Sequence, residues 1–338
     1  MIAARDLPEF LRSAQLELVD GVPVAPLVFV DLDDVGGSVP FRQPTSVVLV
    51  GVASGALDET ARALAERLAC TLVSGVAGSE YEIAVDDLAH ARATIQAGVT
   101  RSPRAALTLM SLLGASSQLS VGDGLVLESL AYSMLLSGAE FTRWRASSAA
   151  RPIPSVGTEP VLLERSGAAL SVTLNRPERR NSFSRAMRDA VIEALELVEL
   201  DSTIAMATLS GAGPSFCSGG DLDEFGGSVD LASAHLIRLE RSAAAHLDRV
   251  SDRVTVLLHG ACIGAGIEIP SFAGRVVAAP DTVIKLPELA MGLVPGAGGT
   301  VGIRRRIGRW RTAWLVLSGE PIDAATAQQW GLVDDVTG

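Results

Sequence analysis

Two glutamates in the second half of the chain stand in unusual surroundings. Residues 259–300 are HGACIGAGIEIPSFAGRVVAAPDTVIKLPELAMGLVPGAGGT, and Glu268 and Glu288 are the only glutamates among them. The flanking residues are mostly small or apolar, and an unpaired carboxylate is costly to bury in such surroundings. Carboxyl groups held in this way can act as a general acid or a general base. The alternative is structural, with Glu268 accepting N–H groups at a helix start and Glu288 serving as a turn residue.

Two glycine-rich stretches accompany the glutamates. One is GAGPSFCSGGDL at 211–222, and the other is HGACIGAG at 259–266. Glycine allows the backbone to approach a ligand closely. Backbone N–H groups, above all those at the N-terminus of a helix, stabilise negative charge that develops on a ligand oxygen. The alternative is that these glycines only form tight turns.

The elements that must position these residues alternate between strand and helix. Residues 161–174 predict two strands joined by a tight turn at Ser166-Gly167, and 204–211, 254–260 and 275–280 predict further strands. A helix is expected to begin near Gly266. Residues 182–201 predict another helix, capped by Ser182 or Ser184, whose apolar face holds Met187, Val191, Ala194, Leu195 and Val198. This alternation is typical of a layered α/β fold.

The first half repeats the pattern more faintly. Residues 26–34, 45–55 and 70–75 predict strands, and 57–69 predict an amphipathic helix. From Ser102 to Ala149 the pattern is helical and starts with a serine cap and Pro103 at the first helical position. Residues 147–160 are rich in serine, proline and small residues, as linkers are. We therefore expect one domain at 1–150 and another at 158–338.

Composition narrows the functional class. The 338 residues are 48 % hydrophobic and carry a net charge of −11, and neither half is basic, which argues against a nucleic-acid partner. No apolar run approaches the ~20 residues that span a bilayer, and no export signal is visible, so no membrane association is expected. Cys70, Cys217 and Cys262 lack the spacing of metal ligands and fit reduced thiols in a cytoplasm.

Five sequence blocks give the second half a family resemblance. They are VTLNRPERRNSFS, GAGPSFCSGGDL, HGACIGAGIE, LPELAMGLVPGAGGT and GEPIDAATAQQWGLVDDV, in this order. Residues 160–338 thereby resemble the enoyl-CoA hydratase/isomerase (crotonase) superfamily. The resemblance implies a spiral of ββα units, and an acyl-CoA thioester as substrate with no separate cofactor and no metal. It also implies a homo-oligomer, either a trimer or a hexamer.

The resemblance also implies roles for individual residues. The N–H groups of Gly220 and Ala265 would hold the thioester oxygen. Glu268 and Glu288 would together hold the water that attacks C3, and one of them would protonate C2. Coenzyme A would be held near two loops, by Arg179, Arg180, Asn181 and Ser182 in one and by Ser218, Gly219 and Leu222 in the other.

Having both glutamates favours an enoyl-CoA hydratase. Two alternatives stay open: an isomerase or other enolate-forming enzyme that uses one glutamate, and a partner subunit that binds acyl-CoA without turnover. Family members that act on an acyl-CoA normally continue past the last block with helices that cover the site. Here residues 93–152 resemble those helices and lie upstream instead. Pro270, shortly after Glu268, is tolerated only in the first turn of a helix and departs from the family pattern.

The N-terminal segment is therefore expected to be a smaller, degenerate crotonase-like α/β unit with a helical cap at about 102–150. We expect that cap to pack on residues 160–338 and to complete the site. An independent accessory domain is the alternative.

Overall fold

The first half of the chain forms a parallel sheet followed by a group of helices. The computed structural model describes residues 1–35, 37, 46–115, 118–148, 159–227 and 230–337. Its elements in this half are β1 (Ile2–Ala3), α1 (Leu7–Ser13), β2 (Leu18–Val19), β3 (Val22–Pro23), β4 (Leu27–Asp31), β5 (Val48–Ala53), α2 (Glu59–Ala65), β6 (Thr71–Ser74), β7 (Glu82–Val85), α3 (Leu88–Arg101), α4 (Pro103–Ala115), α5 (Val121–Leu136) and α6 (Ala139–Ser147). The sheet has the order β1-β4-β5-β6-β7 with every neighbouring pair parallel.

The centre of this sheet follows from the apolar run in β5. All six residues of β5 are buried, as expected of a parallel strand that is covered on both faces. The strands predicted at 26–34, 45–55 and 70–75 and the helix predicted at 57–69 are confirmed by β4, β5, β6 and α2. The helical part of this half begins earlier than predicted, because α3 starts at Leu88, where Asp87 accepts N–H bonds from Ala89 and His90.

The cap predicted for α4 is wrong. Pro103 does occupy the first helical position, but the hydroxyl of Ser102 is buried and makes no hydrogen bond with any residue that the structure describes. The carboxylate of Glu140 in α6 accepts the N–H groups of Arg104 at 2.9 Å and of Ala105 at 3.1 Å instead. An acceptor that is distant in sequence thus takes the part that a local serine was expected to play.

The second half forms a larger sheet and a small one. Its elements are β8 (Val161–Ser166), β9 (Ala169–Leu174), α7 (Arg185–Leu200), β10 (Met206–Gly211), α8 (Leu231–Glu240), α9 (Ala243–Arg249), β11 (Val254–Leu258), β12 (Ala261–Ile263), α10 (Ala265–Glu268), β13 (Arg275–Ala278), β14 (Val283–Lys285), α11 (Gly302–Ser318), β15 (Ile322–Asp323), α12 (Ala324–Trp330) and β16 (Asp335–Val336). The larger sheet has the order β16-β13-β11-β10-β9-β8, parallel except for the β8–β9 hairpin. The small sheet has the order β12-β14-β15.

Local patterns in this half are confirmed by the structure. Ser184 caps α7 by accepting the N–H of Met187, and all five residues predicted for the apolar face of α7 are buried. The helix predicted near Gly266 is α10, and it lasts a single turn. Pro270 begins a 3₁₀-helix directly after it, and the hydroxyl of Ser271 bonds the carbonyl of Glu268 at 2.5 Å. Proline thus ends the α-helix just behind the candidate catalytic glutamate.

The helices of the first half pack on the second half. α3 and α4 contact α11, and α5 contacts α8 and α9. A single apolar core contains residues of both halves, including Leu109 of α4 and Ile303 of α11. The predicted packing of this cap on the second half is therefore seen within one chain, while its origin as a degenerate crotonase unit stays a prediction. Most of the linker predicted at 147–160, and with it the domain boundary, lies outside the described residues.

In the part of the chain that the structure describes, no helix combines the length and the apolar character needed to cross a bilayer.

Candidate active site

Two glycine-rich loops run side by side at the centre of the second half. Cys217 and Cys262 form a parallel bridge, in which the N–H of Cys217 bonds the carbonyl of Ala261 at 3.2 Å and the N–H of Ile263 bonds the carbonyl of Cys217 at 3.0 Å. A Cβ atom on Gly266 would lie 2.3 Å from the Cys217 carbonyl oxygen. Only glycine therefore permits the close approach of α10 to the neighbouring loop.

Each of these loops presents one unpaired N–H group. Ala265 is the first residue of α10, where an N–H has no partner within the helix. Gly220 forms a bridge with Phe183 through the groups of its neighbours Gly219 and Asp221, which leaves its own N–H out of the pairing. Among the described residues, neither N–H has an acceptor, and both residues line the same cavity. The arrangement can bind an oxygen that carries negative charge.

The two glutamates converge beside these loops. Glu268 ends α10, and its Oε2 accepts the N–H groups of Ala297 at 2.8 Å and Gly299 at 3.0 Å. Glu288 begins a 3₁₀-helix, and its buried Oε2 has no hydrogen-bond partner among the described residues. A Cβ atom on Gly264 would lie 2.6 Å from Oε1 of Glu288 and 3.8 Å from Oε1 of Glu268. The carboxyl groups of Glu268 and Glu288 therefore both lie beside Gly264.

Burial controls the protonation of this pair. Glu268 is 3 % exposed and Glu288 is 6 % exposed. Burial raises the pKa of Glu288 to about 8, and the charge of Glu128 adds to the rise. Burial also raises the pKa of Glu268 well above its usual range, as do the charges of Glu288 and Glu128, while the N–H bonds from Ala297 and Gly299 oppose the rise. Such a pair can hold one proton near neutral pH.

A third buried glutamate, Glu128, approaches the site from the first half. It lies in α5, and its Oε1 accepts the N–H of Gly298 at 2.7 Å. Its Oε2 accepts the N–H and the hydroxyl of Thr300, at 2.9 Å and 2.6 Å. Burial raises the pKa of Glu128 to about 7, although these bonds and the charge of Arg238 oppose the rise. Glu128 lies in the cap that was expected to complete the site, but no individual role was predicted for it. An acid in the middle of the apolar helix VGDGLVLESLAYSMLL is the signal that points to such a role.

A cavity of about 830 Å³ joins these groups, and this volume is within the range of small-molecule sites. Both glutamates of the pair, Gly220 and Ala265 lie on its wall. Much of the remaining wall is apolar, and the first half supplies part of it through Leu125, Tyr132, Leu136 and Trp144. The cavity is therefore formed by both halves of the chain.

The residues expected to hold coenzyme A fall into two groups. Ser218, Gly219 and Leu222 line the cavity. The other four are not on its wall. Arg179 is paired with Asp221 at 2.9 Å and with Asp223 at 2.6 Å, and Ser182 donates its hydroxyl to Asp221 at 3.1 Å. The buried Asn181 bonds three backbone groups, and Arg180 is exposed with a φ of 50°. A role in binding coenzyme A stays a prediction for both groups.

Comparison with known proteins decides the family. The model of the enoyl-CoA hydratase/isomerase family matches residues 164–338 of this chain. This protein belongs to the enoyl-CoA hydratase/isomerase family. The crotonase-type resemblance of residues 160–338 and the α/β fold class expected from the sequence are thereby confirmed. The family match places the enzyme among the acyl-CoA hydratases and isomerases.

Individual relatives of this family are of both kinds. The chain is 35 % identical to the 2,3-dehydroadipyl-CoA hydratase of Escherichia coli over 176 residues, which are 52 % of this chain and 68 % of that protein. It is also 35 % identical to the 1,2-epoxyphenylacetyl-CoA isomerase of E. coli over 177 residues, which are 50 % of this chain and 67 % of that protein. The crystal structure of an enoyl-CoA hydratase from Mycobacterium smegmatis aligns with a TM-score of 0.50 at 26 % identity, covering 53 % of this chain and 70 % of that one.

Proposed function

We propose that this protein is an enoyl-CoA hydratase, which adds water reversibly to a 2-enoyl-CoA thioester. The observation that carries the proposal is the convergence of Glu268 and Glu288 on Gly264, beside the unpaired N–H groups of Gly220 and Ala265. Relatives include both a hydratase and an isomerase, so the choice between the two reactions rests on this geometry. Adding water requires one group that takes a proton from the water and another that gives a proton to carbon, and a pair of carboxyl groups provides both.

In this mechanism the N–H groups of Gly220 and Ala265 bind the thioester oxygen. They stabilise the negative charge that the oxygen gains when water attacks C3 and an enolate forms. The apolar wall excludes bulk water and strengthens these interactions, because charges interact more strongly in a medium of low dielectric constant. The same geometry would support any family reaction that passes through an enolate.

Hydrogen bonding divides the proton transfers between the glutamates. Two N–H donors fix Oε2 of Glu268, and donors of this kind favour the ionised form. We therefore propose that Glu268 takes the proton from the attacking water. Burial raises the pKa of both glutamates, but Glu288 has no donor on its buried Oε2 to favour the ionised form, so we assign to it the proton that is given to C2. Proton exchange between the two carboxyl groups then restores the starting state.

The test is to replace each glutamate with its neutral isostere. In Glu268→Gln and in Glu288→Gln we expect kcat for hydration to fall about 10²–10⁴-fold, the usual contribution of general acid–base groups. Binding of a saturated acyl-CoA should stay within about tenfold of the wild type, because neither change removes the N–H groups that bind the thioester oxygen. Hydration is measured as loss of the conjugated absorbance of trans-2-enoyl-CoA thioesters with short, medium, aryl-substituted and carboxyl-terminated chains.

The matched control is Glu82→Gln. Glu82 is also buried and accepts hydrogen bonds, one from the N–H of Gly78 and one from the hydroxyl of Ser79, but it lies in the first sheet. Its substitution should leave kcat unchanged. Near wild-type hydration by either variant of the pair would contradict a two-glutamate mechanism. Isomerase activity that survives in one variant and is lost in the other would support the one-glutamate alternative, and tight binding by a wild type without turnover would support the partner-subunit alternative.

A further inference from the structure

The segment 296–300 is held between two carboxylates on alternate residues. Ala297 and Gly299 donate their N–H groups to Glu268, whereas Gly298 and Thr300 donate theirs to Glu128. The segment consists of a bend followed by a turn, and its successive N–H groups bond the two carboxylates in alternation. The orientation of Glu268 is therefore coupled to the position of a segment that Glu128 also holds.

We propose that Glu128 is a positioning residue for catalysis: from α5 it fixes segment 296–300, and through that segment it fixes the carboxylate of Glu268. This inference rests on the proposed role of Glu268. It assigns to the first half of the chain a part in the chemistry beyond covering the cavity, since no described residue of the second half accepts the N–H groups of Gly298 or Thr300.

Close packing of α5 against segment 296–300 supports the hydrogen bonds of Glu128. The ring of Tyr132, one helical turn after Glu128, lies against Gly296, where a Cβ atom would be 2.3 Å from the ring. A Cβ atom on Gly124, one turn before Glu128, would be 2.9 Å from the side chain of Val301. Positions four apart share one face of a helix, so a single face of α5 contacts the segment along its whole length.

The bonds to Glu128 are of a strong type. A carboxylate that accepts N–H and O–H donors forms charge-assisted hydrogen bonds, which are roughly twice as strong as neutral ones. Gly298 has a φ of 108°, in the left-handed region that favours glycine, and a Cβ atom there would be 2.5 Å from the ring of Phe272. The segment thus consists mainly of small residues, and Gly298 has a backbone conformation that other residues rarely adopt. Its conformation therefore depends on hydrogen bonds to groups outside the segment, such as the carboxylate of Glu128.

The experiment compares Glu128→Gln with the control Glu82→Gln in the full-length protein. The amide nitrogen of a glutamine at 128 cannot accept, so the N–H of either Gly298 or Thr300 loses its acceptor. We expect kcat for hydration to fall about 10–100-fold, since a shift of ~1 Å in a catalytic group can cost about 10²-fold. Affinity for a saturated acyl-CoA should change less than about threefold. Thr300→Val, which removes only the hydroxyl donor, should lower kcat by roughly twofold to fivefold.

A second measurement separates positioning from mere folding. Amide hydrogen exchange of the free protein reports whether segment 296–300 opens. In Glu128→Gln we expect the amides of Ala297 and Gly299, which bond Glu268 and not Glu128, to exchange about tenfold faster or more, with exchange elsewhere in the second half unchanged. A purely structural role would raise exchange throughout the core and would lower the folded fraction without lowering kcat per folded molecule.

The two proposals fail in different ways. If the wild type hydrates no enoyl-CoA but exchange at Ala297 and Gly299 still rises in Glu128→Gln, the proposed hydratase reaction is wrong and the positioning role is supported. If the wild type hydrates and Glu128→Gln keeps kcat within twofold of the Glu82→Gln control, with unchanged exchange at these amides, the positioning role is overturned. Faster exchange with unchanged kcat also overturns it, because the segment would then be mobile without consequence for Glu268.

Discussion

Carboxylates in the two halves of the chain differ in how completely they are hydrogen-bonded. In the first half, the exposed Asp33, just after β4, accepts the N–H and the hydroxyl of Ser54, each at 2.8 Å, and the buried Glu82 of β7 accepts one N–H and one hydroxyl on its two oxygens. In the second half, a buried oxygen of Glu288 and two nearby N–H groups, those of Gly220 and Ala265, all lack a partner among the described residues. Unsatisfied buried polar groups cost stability, so their concentration at one place indicates a site that a ligand completes.

The presence of buried parallel strands does not explain why the candidate site lies in the second half and not in the first. Both sheets contain a buried parallel core, but the second brings two glycine-rich loops into contact where the backbone approaches within hydrogen-bonding distance. The helices α3 to α6 are part of the first half of the sequence, but α5 is also part of the site. It lines the cavity, and its Glu128 accepts a hydrogen bond from segment 296–300. The candidate active site is thus formed mainly by the second half and completed by α5 of the first half.

The largest expected effect comes from separating the two regions. A chain shortened to residues 158–338 should lose hydration activity or be poorly soluble, because removal of α3 to α6 exposes a large part of the shared apolar core. The measurements are solubility, size and kcat of the shortened chain. Co-expression of residues 1–157 as a separate chain should restore activity at least in part. A shortened chain that is soluble and fully active would show that the first half is an accessory domain.

The next effect concerns the unpaired N–H of Gly220. Gly220→Pro removes this donor, and we expect kcat to fall about 10²–10³-fold, the usual cost of losing one oxyanion donor. Gly220→Ala is the matched control, because it keeps the N–H and adds a Cβ that would lie 2.6 Å from the ring of Phe225. Alanine should therefore lower kcat by the smaller amount that a shifted ring causes. An active, folded proline variant would mean that the thioester oxygen is held elsewhere.

The pH dependence of stability tests the raised pKa of Glu288 in the site. The pKa of Glu288 rises from its ordinary 4.5 to about 8 on folding, so the folded state holds a proton that the unfolded chain releases. The contribution of this proton to stability is therefore fully present below pH 4.5 and is lost as the pH rises through about 8. Glu288→Gln should be more stable than the wild type at high pH, by roughly 2–4 kcal/mol, with little difference at low pH.

Urea unfolding of the wild type and the Glu288→Gln variant, measured across this range of pH, checks the expectation. Glu82→Gln serves again as the control for the replacement of a buried carboxyl group by an amide. A constant difference between wild type and Glu288→Gln at every pH would contradict a raised pKa for Glu288.

The smallest effects are expected at two serines in the helices between the sheets. Ser120 caps α5 by accepting the N–H of Asp123, so Ser120→Ala should destabilise the protein by about 1 kcal/mol. The buried hydroxyl of Ser102 has no partner among the described residues, so Ser102→Ala should be neutral or slightly stabilising. Thermal unfolding measures both. Equal losses would mean that Ser102 caps α4 after all and that Glu140 does not replace it.

The sequence alone was sufficient for features that depend on neighbouring residues. The periodic apolar face of α7 and its cap at one of two serines, which the structure shows to be Ser184, follow from spacing and capping. Pro270 was recognisable as a residue that a helix tolerates only in its first turn. Glu268, Glu288 and the two glycine-rich loops were also recognisable, because a carboxylate in an apolar stretch and clustered glycines are visible along the chain. These signals are local, so they do not depend on how distant segments pack.

Tertiary structure alone decided which distant groups meet. Glu128 bonds Gly298 and Thr300 across 170 and 172 residues, and Glu140 replaces the expected cap at Ser102 from α6. Arg179 was expected near coenzyme A, and its guanidinium lies between Asp221 and Asp223. A carboxylate can bond any N–H or cation that packing brings to it, so residue type and spacing define what the group can accept. Only the packing of helices on loops determines which partner it accepts.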